Sequence, residues 1–481
     1  MFEANAEEYF GHRKSGGTVA VGTVEGFLPV QNGLSGKIKG WKTKIPPFRL
    51  LPSAKSTSPD RGGFFERRFF MNQKMLWQYA RLIVGVGINL QKGQTLVINC
   101  PVDRADFGRL LTTAAYDLGA KDVIMLWRDD YCTREHWLRA DDSLFDGVYS
   151  WDAERLNTLA KEGAGYISIA AADPENLKGV DQERQRRYSI ASNRDLADFY
   201  NLEMANGFPW CVASVPITPW AEKVFPELKG EEANEKLWET IFKMVRITED
   251  GDAVEAWKEH CENLERRAKI LTGMDLESVH YKNSLGTDLV VELPENCQWL
   301  AGGEECKAGH KFVANMPTEE IFSAPKRDGV NGVLYSARPL VLNGNIVDKI
   351  RFEFENGKIV KATAEKGEEV LNKALDTDEN SRFLGEIALV PYDSPISNSK
   401  ITFFNTLFDE NASCHFAFGE AYPSSIKGGD EMTEEELFER GINASAGVHV
   451  DFMVGTADLS ITGKTRKGEE VTIFENGNFV F

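Results

Sequence analysis

The sequence predicts an α/β domain built on a parallel sheet, followed by a β-rich α+β domain. Three observations carry this. Between residues 95 and 172, apolar runs of strand length alternate with helix-length segments of amphipathic spacing, the pattern of a parallel sheet covered by helices. Two long helical segments then fill residues 231–273. After them the chain turns to short strands separated by turn residues, with Asn-Gly in FENGK and again in FENGN. Asn-Gly supplies the positive φ angles of a tight hairpin turn.

Taken in order, residues 1–70 stand apart. Gly, Pro, Lys and Arg recur there with little periodicity, as in SGKIKGWKTKIPPFRLLPSAKSTSPDRGG. The segment reads as a flexible extension, an added small module, or sequence upstream of a true start at Met71, and in each case as dispensable for chemistry. From Met71, MNQKMLWQYARLIVGVG has helical spacing and ends at glycine. TLVINCPV (95–102) reads as a strand, ADFGRLLTTAAYDLGA (105–120) as a helix and DVIMLW (122–127) as the next strand. A helix over 151–163 leads into the strand YISIAAA (166–172). Gly85-Val86-Gly87 is a bare GxG at a helix end, and neither the full dinucleotide fingerprint nor a Walker A loop is present, so a nucleotide site is not expected. The domains expected are therefore the 1–70 extension, an α/β domain over 71–275, and a second domain over 276–481. In the last, TDLVVEL, KIRFEFENGKIVKATAEKG, ITFFN and VTIFENGNFVF read as strands and turns.

Composition narrows the function. Of 481 residues, 42% are hydrophobic and 27% charged, ordinary for a globular protein. Lys plus Arg number 55 against 74 Asp plus Glu, a net charge of −19. That balance argues against a nucleic-acid partner and against anionic membrane surfaces. The seven cysteines are scattered, odd in number and without a CxxC pair, as in a reduced, cytoplasmic protein. The N-terminus shows no signal-peptide pattern, and LIVGVGINL (82–90) is too short to span a bilayer.

Three apolar segments near the C-terminus carry side chains that a plain core would exclude: GEIALVPYDSPIS (385–397), NTLFDENASCHFAFGEAYP (405–423) and VHVDFMVG (448–455). A buried ionised carboxylate is costly unless paired or bound to a metal. The economical explanation is that Glu386, His415, His449 and Asp451 converge on a divalent metal site. His449 and Asp451 are two apart, so on a strand they share a face, and an imidazole beside a carboxylate suits Zn, Mn or Co. A structural His–Asp hydrogen bond is the plainer alternative. Glu386 lies in a strand whose neighbours suggest burial on both faces; an Arg partner is its plain alternative. His415 and Tyr422, seven apart, would share a face if their segment were helical, although a core tyrosine is the default reading from spacing. In NMPTEEIF, Glu319 and Glu320 form a carboxylate pair in an apolar setting, a second source of ligands for a two-metal site. EMTEEELFERG is acidic because Thr433 and Glu436 form a capping box and Gly441 ends the helix. His12, His136, His260, His280 and His310 lie in polar contexts and read as surface residues.

With these residues in view, the chain resembles the aminopeptidase T family of metallo-aminopeptidases from about Met71 to the C-terminus. ANMPTEEIFSAPKRDGVNG, LGEIALVPYDSPIS, FNTLFDENASCHFAFGEAYP and VHVDFMVG carry the resemblance. It implies that Glu320, Glu386, His415, Tyr422, His449 and Asp451 are metal ligands, that the C-terminal domain is the catalytic metal-binding one, and that each chain holds two divalent ions, Zn, Co or Mn. It further implies a homodimer acting on peptides with a free N-terminus, a two-metal-activated water hydrolysing the first peptide bond. Glu319, beside a predicted ligand, is a candidate general base. The competing readings are a non-catalytic peptide- or metal-binding protein on the same scaffold, and a related metal-dependent amidase.

Overall fold

The computed structural model describes residues 73–481. The 1–70 extension, the alternative start at Met71 and His12 lie outside the described residues.

The expected alternation of strands and helices forms a five-stranded parallel sheet. Its order is Asp122–Arg128, Thr95–Pro101, Gly165–Ile169, Trp210–Ala213 and Asn315–Met316. The last strand comes from beyond residue 275, so the later part of the chain completes the earlier sheet. The amphipathic run at the start of the described chain is α-helical over 73–82 and loosens into a π-turn at Ile83–Gly87. The Ala105–Leu118 helix buries Phe107, Leu111, Ala114 and Ala115 and ends on Gly119 at φ 93°, a left-handed cap that favours glycine. Gly230–Met244 and Ala253–Gly273 are the two long helices expected. Tyr79, Trp220, Trp238, Phe242 and Trp257 are among the large side chains of the core against this sheet.

Beyond residue 275 the chain is dominated by two antiparallel sheets. The larger has eight strands, and its hairpins turn at Asn356-Gly357 and Asn476-Gly477, with φ 47°, 81°, 51° and 73° in turn. These are the Asn-Gly turns read from the sequence. The smaller sheet orders Ile321–Ser323, Leu384–Leu389, His415–Gly419 and His449–Met453. Its register pairs Glu386 with Ala417, Ala388 with His415, Ala417 with Asp451 and Gly419 with His449. Residues paired in register share a face, so Glu386, His415, His449 and Asp451 all stand on the same side. The other side carries Ile387, Phe416, Phe418 and Phe452 into a second core. There Phe352 and Phe452 meet with ring centroids 5.0 Å apart and Tyr281 and Phe416 at 5.1 Å.

Two expected elements differ. The segment joining His415 to Tyr422 is not helical: His415–Gly419 is a strand buried along its length, and Tyr422 follows it in a loop. Phe416-Ala417-Phe418-Gly419 alternates large and small side chains and the strand pairs on both edges, which outweighs any helical tendency in so short a run. ITFFN (401–405) is not a strand. Phe403 is fully buried, and the backbone around it is held by side chains instead of a ladder. Thr433 and Glu436 do form the capping box, and Gly441 follows the helix at φ 84°.

Phe452 anchors the apolar side of the small sheet. Phe452→Ala is expected to cost about 3–5 kcal/mol, read as a lower urea midpoint without a change in the m-value.

Candidate metal centre

The small sheet makes room for its chemistry on one face by placing small residues between the donors. Ala417 lies between Glu386 and Asp451 in register, and Ala388 lies beside His415. Gly385, at the irregularity before Glu386, is required by crowding: a Cβ there would lie 2.2 Å from the Glu420 carbonyl oxygen. The chain leaving the cis Met316–Pro317 peptide brings Glu320 in just before the Ile321–Ser323 edge strand.

Five of the six predicted ligands meet here in two sets. Glu320, Glu386 and His415 form one, and Glu386, His449 and Asp451 the other, each with its donor atoms within 4.8 Å of one another. His415 Nε2 lies 3.1 Å from Glu320 Oε2 and 3.5 Å from Glu386 Oε1. His449 Nε2 lies 3.3 Å from Glu386 Oε2 and 3.6 Å from Asp451 Oδ1. Glu386 therefore turns one oxygen to each set. Tyr422, the sixth, lines the same cavity, its ring centroid 5.4 Å from that of His449.

Both imidazoles are oriented from behind. His415 Nδ1 lies 3.0 Å from the Glu410 carbonyl oxygen and 3.1 Å from that of Ser413. His449 Nδ1 lies 2.7 Å from the Glu420 carbonyl oxygen. A carbonyl only accepts, so Nδ1 carries a proton in each ring and Nε2 is the nitrogen turned to the cluster. This is the support typical of metal-binding histidines.

The electrostatics call for a cation. Glu320, Glu386 and His415 are buried, and among the described residues no Lys or Arg pairs with Glu320, Glu386, Glu410 or Asp451. Burial alone would lower His415, yet Glu320 and Glu386 hold it well above its ordinary pKa. Burial would likewise lower His449, which Asp451 and Glu386 hold up. Burial would raise Glu386, but the two histidines hold it at about 2. Among the described residues these carboxylates thus have imidazoles beside them and no permanently charged partner. Nitrogen and oxygen donors in two sets sharing a carboxylate fit two divalent ions of the Zn, Co or Mn type.

The face opens on a cavity of about 590 Å³. Its opposite wall is the carboxyl-terminal end of the parallel sheet, including Ser168, Ala170, Val212 and Asn315, where open parallel sheets characteristically bind ligands.

The sequence profile of the thermophilic metalloprotease (M29) family matches residues 72–479. The chain belongs to this family. It is thus a peptide-bond hydrolase of a metal-dependent kind, and the resemblance to the aminopeptidase T family drawn from its motifs is borne out. Aminopeptidase AmpS of Bacillus subtilis (strain 168) is 44% identical over 403 residues, covering 84% of this chain and 98% of that protein. Aminopeptidase 2 of Geobacillus stearothermophilus is 42% identical over 409 residues, 85% of this chain and 98% of that one. The solved structure of wild-type AmpT from Thermus thermophilus superposes with a TM-score of 0.77 at 36% identity, covering 87% of this chain and all of that one (100%).

In this M29 enzyme Glu319 is not placed as the general base. It turns from the cavity to Arg246, 2.7 Å away, while its neighbour Glu320 faces in. The residue missed by sequence reading is Glu410, buried, lining the cavity and without a salt-bridge partner among the described residues. Burial, then the charges of Asp451 and Glu320, push its pKa well above the ordinary carboxylate range. Its signal was the one that exposed Glu386: a carboxylate in an apolar run. Asn411 ties Glu410 to the Glu320 loop, accepting from the Glu319 N–H at 2.7 Å and donating to Glu410 Oε1 at 3.2 Å.

His260 is likewise not a surface residue. Its side chain is 12% exposed, and its Nε2 lies 2.7 Å from the Thr318 carbonyl oxygen, bracing the turn that leads to Glu320. Burial, helped by Arg246, lowers its pKa to about 4 from 6.5. Between those values the unfolded chain binds the proton and the native protein resists it, so stability falls as pH drops through that window. His260→Gln is expected to flatten this acid limb, by up to a few kcal/mol, in urea melts run from pH 7 to pH 4.

Proposed function

We propose that the chain is a metallo-aminopeptidase that hydrolyses the N-terminal peptide bond of peptides at a two-metal centre. Glu320, Glu386, His415, Tyr422, His449 and Asp451 are its ligands in this reading. The observation that carries it is Glu386, which turns one oxygen to each of two donor sets, as a bridging carboxylate would. The aminopeptidase names of relatives that align over almost their whole length support the substrate assignment.

Glu320, Glu386, His415, Tyr422, His449 and Asp451 would hold divalent ions whose Lewis acidity would acidify a water and polarise the scissile carbonyl. The protein's own residues do the rest. The Nδ1–H bonds of His415 and His449 fix both rings, so the donor geometry is set before substrate arrives. Glu410, held by Asn411 at the edge of the ligand set, takes the role of proton acceptor for the attacking water. The carboxylate-rich cavity favours a substrate α-ammonium over a blocked terminus.

The same reading includes a homodimer and a cytoplasmic setting. The seven cysteines are all free, which supports a reducing compartment, and among the described residues no helix is long and apolar enough to cross a membrane.

The test is amino-acid release from unblocked and N-acetylated dipeptides, after chelation and after adding back Zn, Co or Mn. Hydrolysis of unblocked peptides alone, abolished by chelation and restored by metal, is the expected result. Cleavage of blocked peptides at equal rates would favour the amidase reading, and stoichiometric metal binding without turnover the binding-protein one. Separately, Glu386→Ala and His449→Ala should each reduce turnover by at least about 100-fold in a protein that keeps its circular-dichroism spectrum. Full metal content with retained activity in either variant would remove it from the ligand set.

A further inference from the structure

Among the described residues, eleven non-glycine residues have positive φ. Six are Asn and one is Asp, which tolerate the left-handed region. Three more, Arg246, Lys349 and Lys400, are long polar side chains. The eleventh is Phe404, at φ 52°, a bulky aromatic for which this conformation is strained. Strain of this kind persists only where the surroundings over-determine it, and here they do. The buried Asp409 carboxylate accepts the backbone N–H of Phe403 at 2.9 Å and of Asn405 at 3.2 Å, and that of Phe404 as well. Trp220 Nε1 donates to the Phe403 carbonyl oxygen at 2.5 Å. Asn405 Nδ2 reaches the end of the parallel sheet, donating to the Ala170 carbonyl oxygen at 2.9 Å and to Ser214 Oγ at 3.3 Å.

The core does not need this residue. Phe403 is the one fully buried, stacked on Phe408 with ring centroids 4.8 Å apart. Phe404 is half-buried and lines the cavity shared with Glu386 and His449. The Lys223 ammonium sits over its ring, 5.1 Å from the centroid. The supporting hydrogen bonds thus hold a strained backbone whose effect is to set an aromatic ring in the wall of the cavity, where Phe322, Leu407 and Trp210 are further apolar lining beside the carboxylates.

We propose that Phe404 is a specificity-determining residue, the strained part of the apolar wall against which an apolar side chain beside the scissile bond packs. The inference rests on the aminopeptidase reading and narrows its substrates to peptides with a bulky apolar residue flanking that bond. Apolar pocket contacts of this size discriminate by about 10-fold or more.

The test compares kcat/KM of the metal-loaded full chain, Phe404→Gly and Phe404→Leu on Leu-Gly, Gly-Leu and Gly-Gly. The wild type is expected to prefer at least one leucine dipeptide over Gly-Gly. Phe404→Gly should lose about 10-fold of that preference, mainly through KM, and Phe404→Leu, which keeps an apolar wall, should retain most of it. An unchanged leucine-to-glycine ratio in Phe404→Gly would overturn the assignment, whatever happens to the absolute rates. No cleavage of any dipeptide by the wild type would overturn the aminopeptidase reading together with it.

Discussion

The four-stranded antiparallel sheet holds its two faces in opposite chemistry by register alone. Pairing Glu386 with Ala417 and Ala417 with Asp451 stacks carboxylates and imidazoles on one side. The same pairing stacks Ile387, Phe416 and Phe452 on the other. A slip of one residue would put phenylalanines into the cavity and charges into the core. The hydrophobic effect acting on the aromatic face therefore fixes the positions of donor atoms on the polar face. Metal chemistry and core packing here depend on a single pattern of hydrogen bonds.

Clustering acids in a folded interior is costly, and the way this site tolerates it shows its purpose. The carboxylates are paired with imidazoles and, among the described residues, with no Lys or Arg. Arg246 pairs with none of them; it pairs with Glu319, which turns away from the cavity. Adjacent glutamates thus have separate tasks. Glu319 is neutralised and braces the turn, while Glu320 is left for the cavity. The backbone carbonyls of Glu410, Ser413 and Glu420 complete the arrangement by holding the ring protons on the far side of each histidine.

The cavity belongs to both kinds of sheet. The antiparallel sheet contributes the donor groups, and the parallel sheet contributes a wall at its carboxyl-terminal end. Irregular segments join them. The 315–316 strand extends the parallel sheet immediately before the turn that delivers Glu320. Residues 403–405 reach from Asp409 to Ala170. These connections favour backbone shapes that no regular ladder would allow, including the left-handed Phe404.

Much of this was legible in the sequence because it is local. Strand and helix periods, the Asn-Gly hairpins and the Thr433 capping box each depend on residues a few positions apart. Buried acids betray themselves as charges in apolar runs, which is how Glu386, His415, His449 and Asp451 stood out, and motif resemblance brought in Glu320 and Tyr422. What the sequence did not show depends on contacts across long separations. Glu319 and Glu320 are neighbours with the same side chain, and the partner that separates their roles, Arg246, lies 73 residues away. His260 looked exposed because its own helix is polar, yet it is covered by the Thr318 turn, 58 residues on. His415 sits on a strand because two other strands pair with it, an influence no window of eight residues contains. Local chemistry determined which residues were unusual; the tertiary fold decided which way each one faced, because side-chain direction is set by the partners that pack and pair around it.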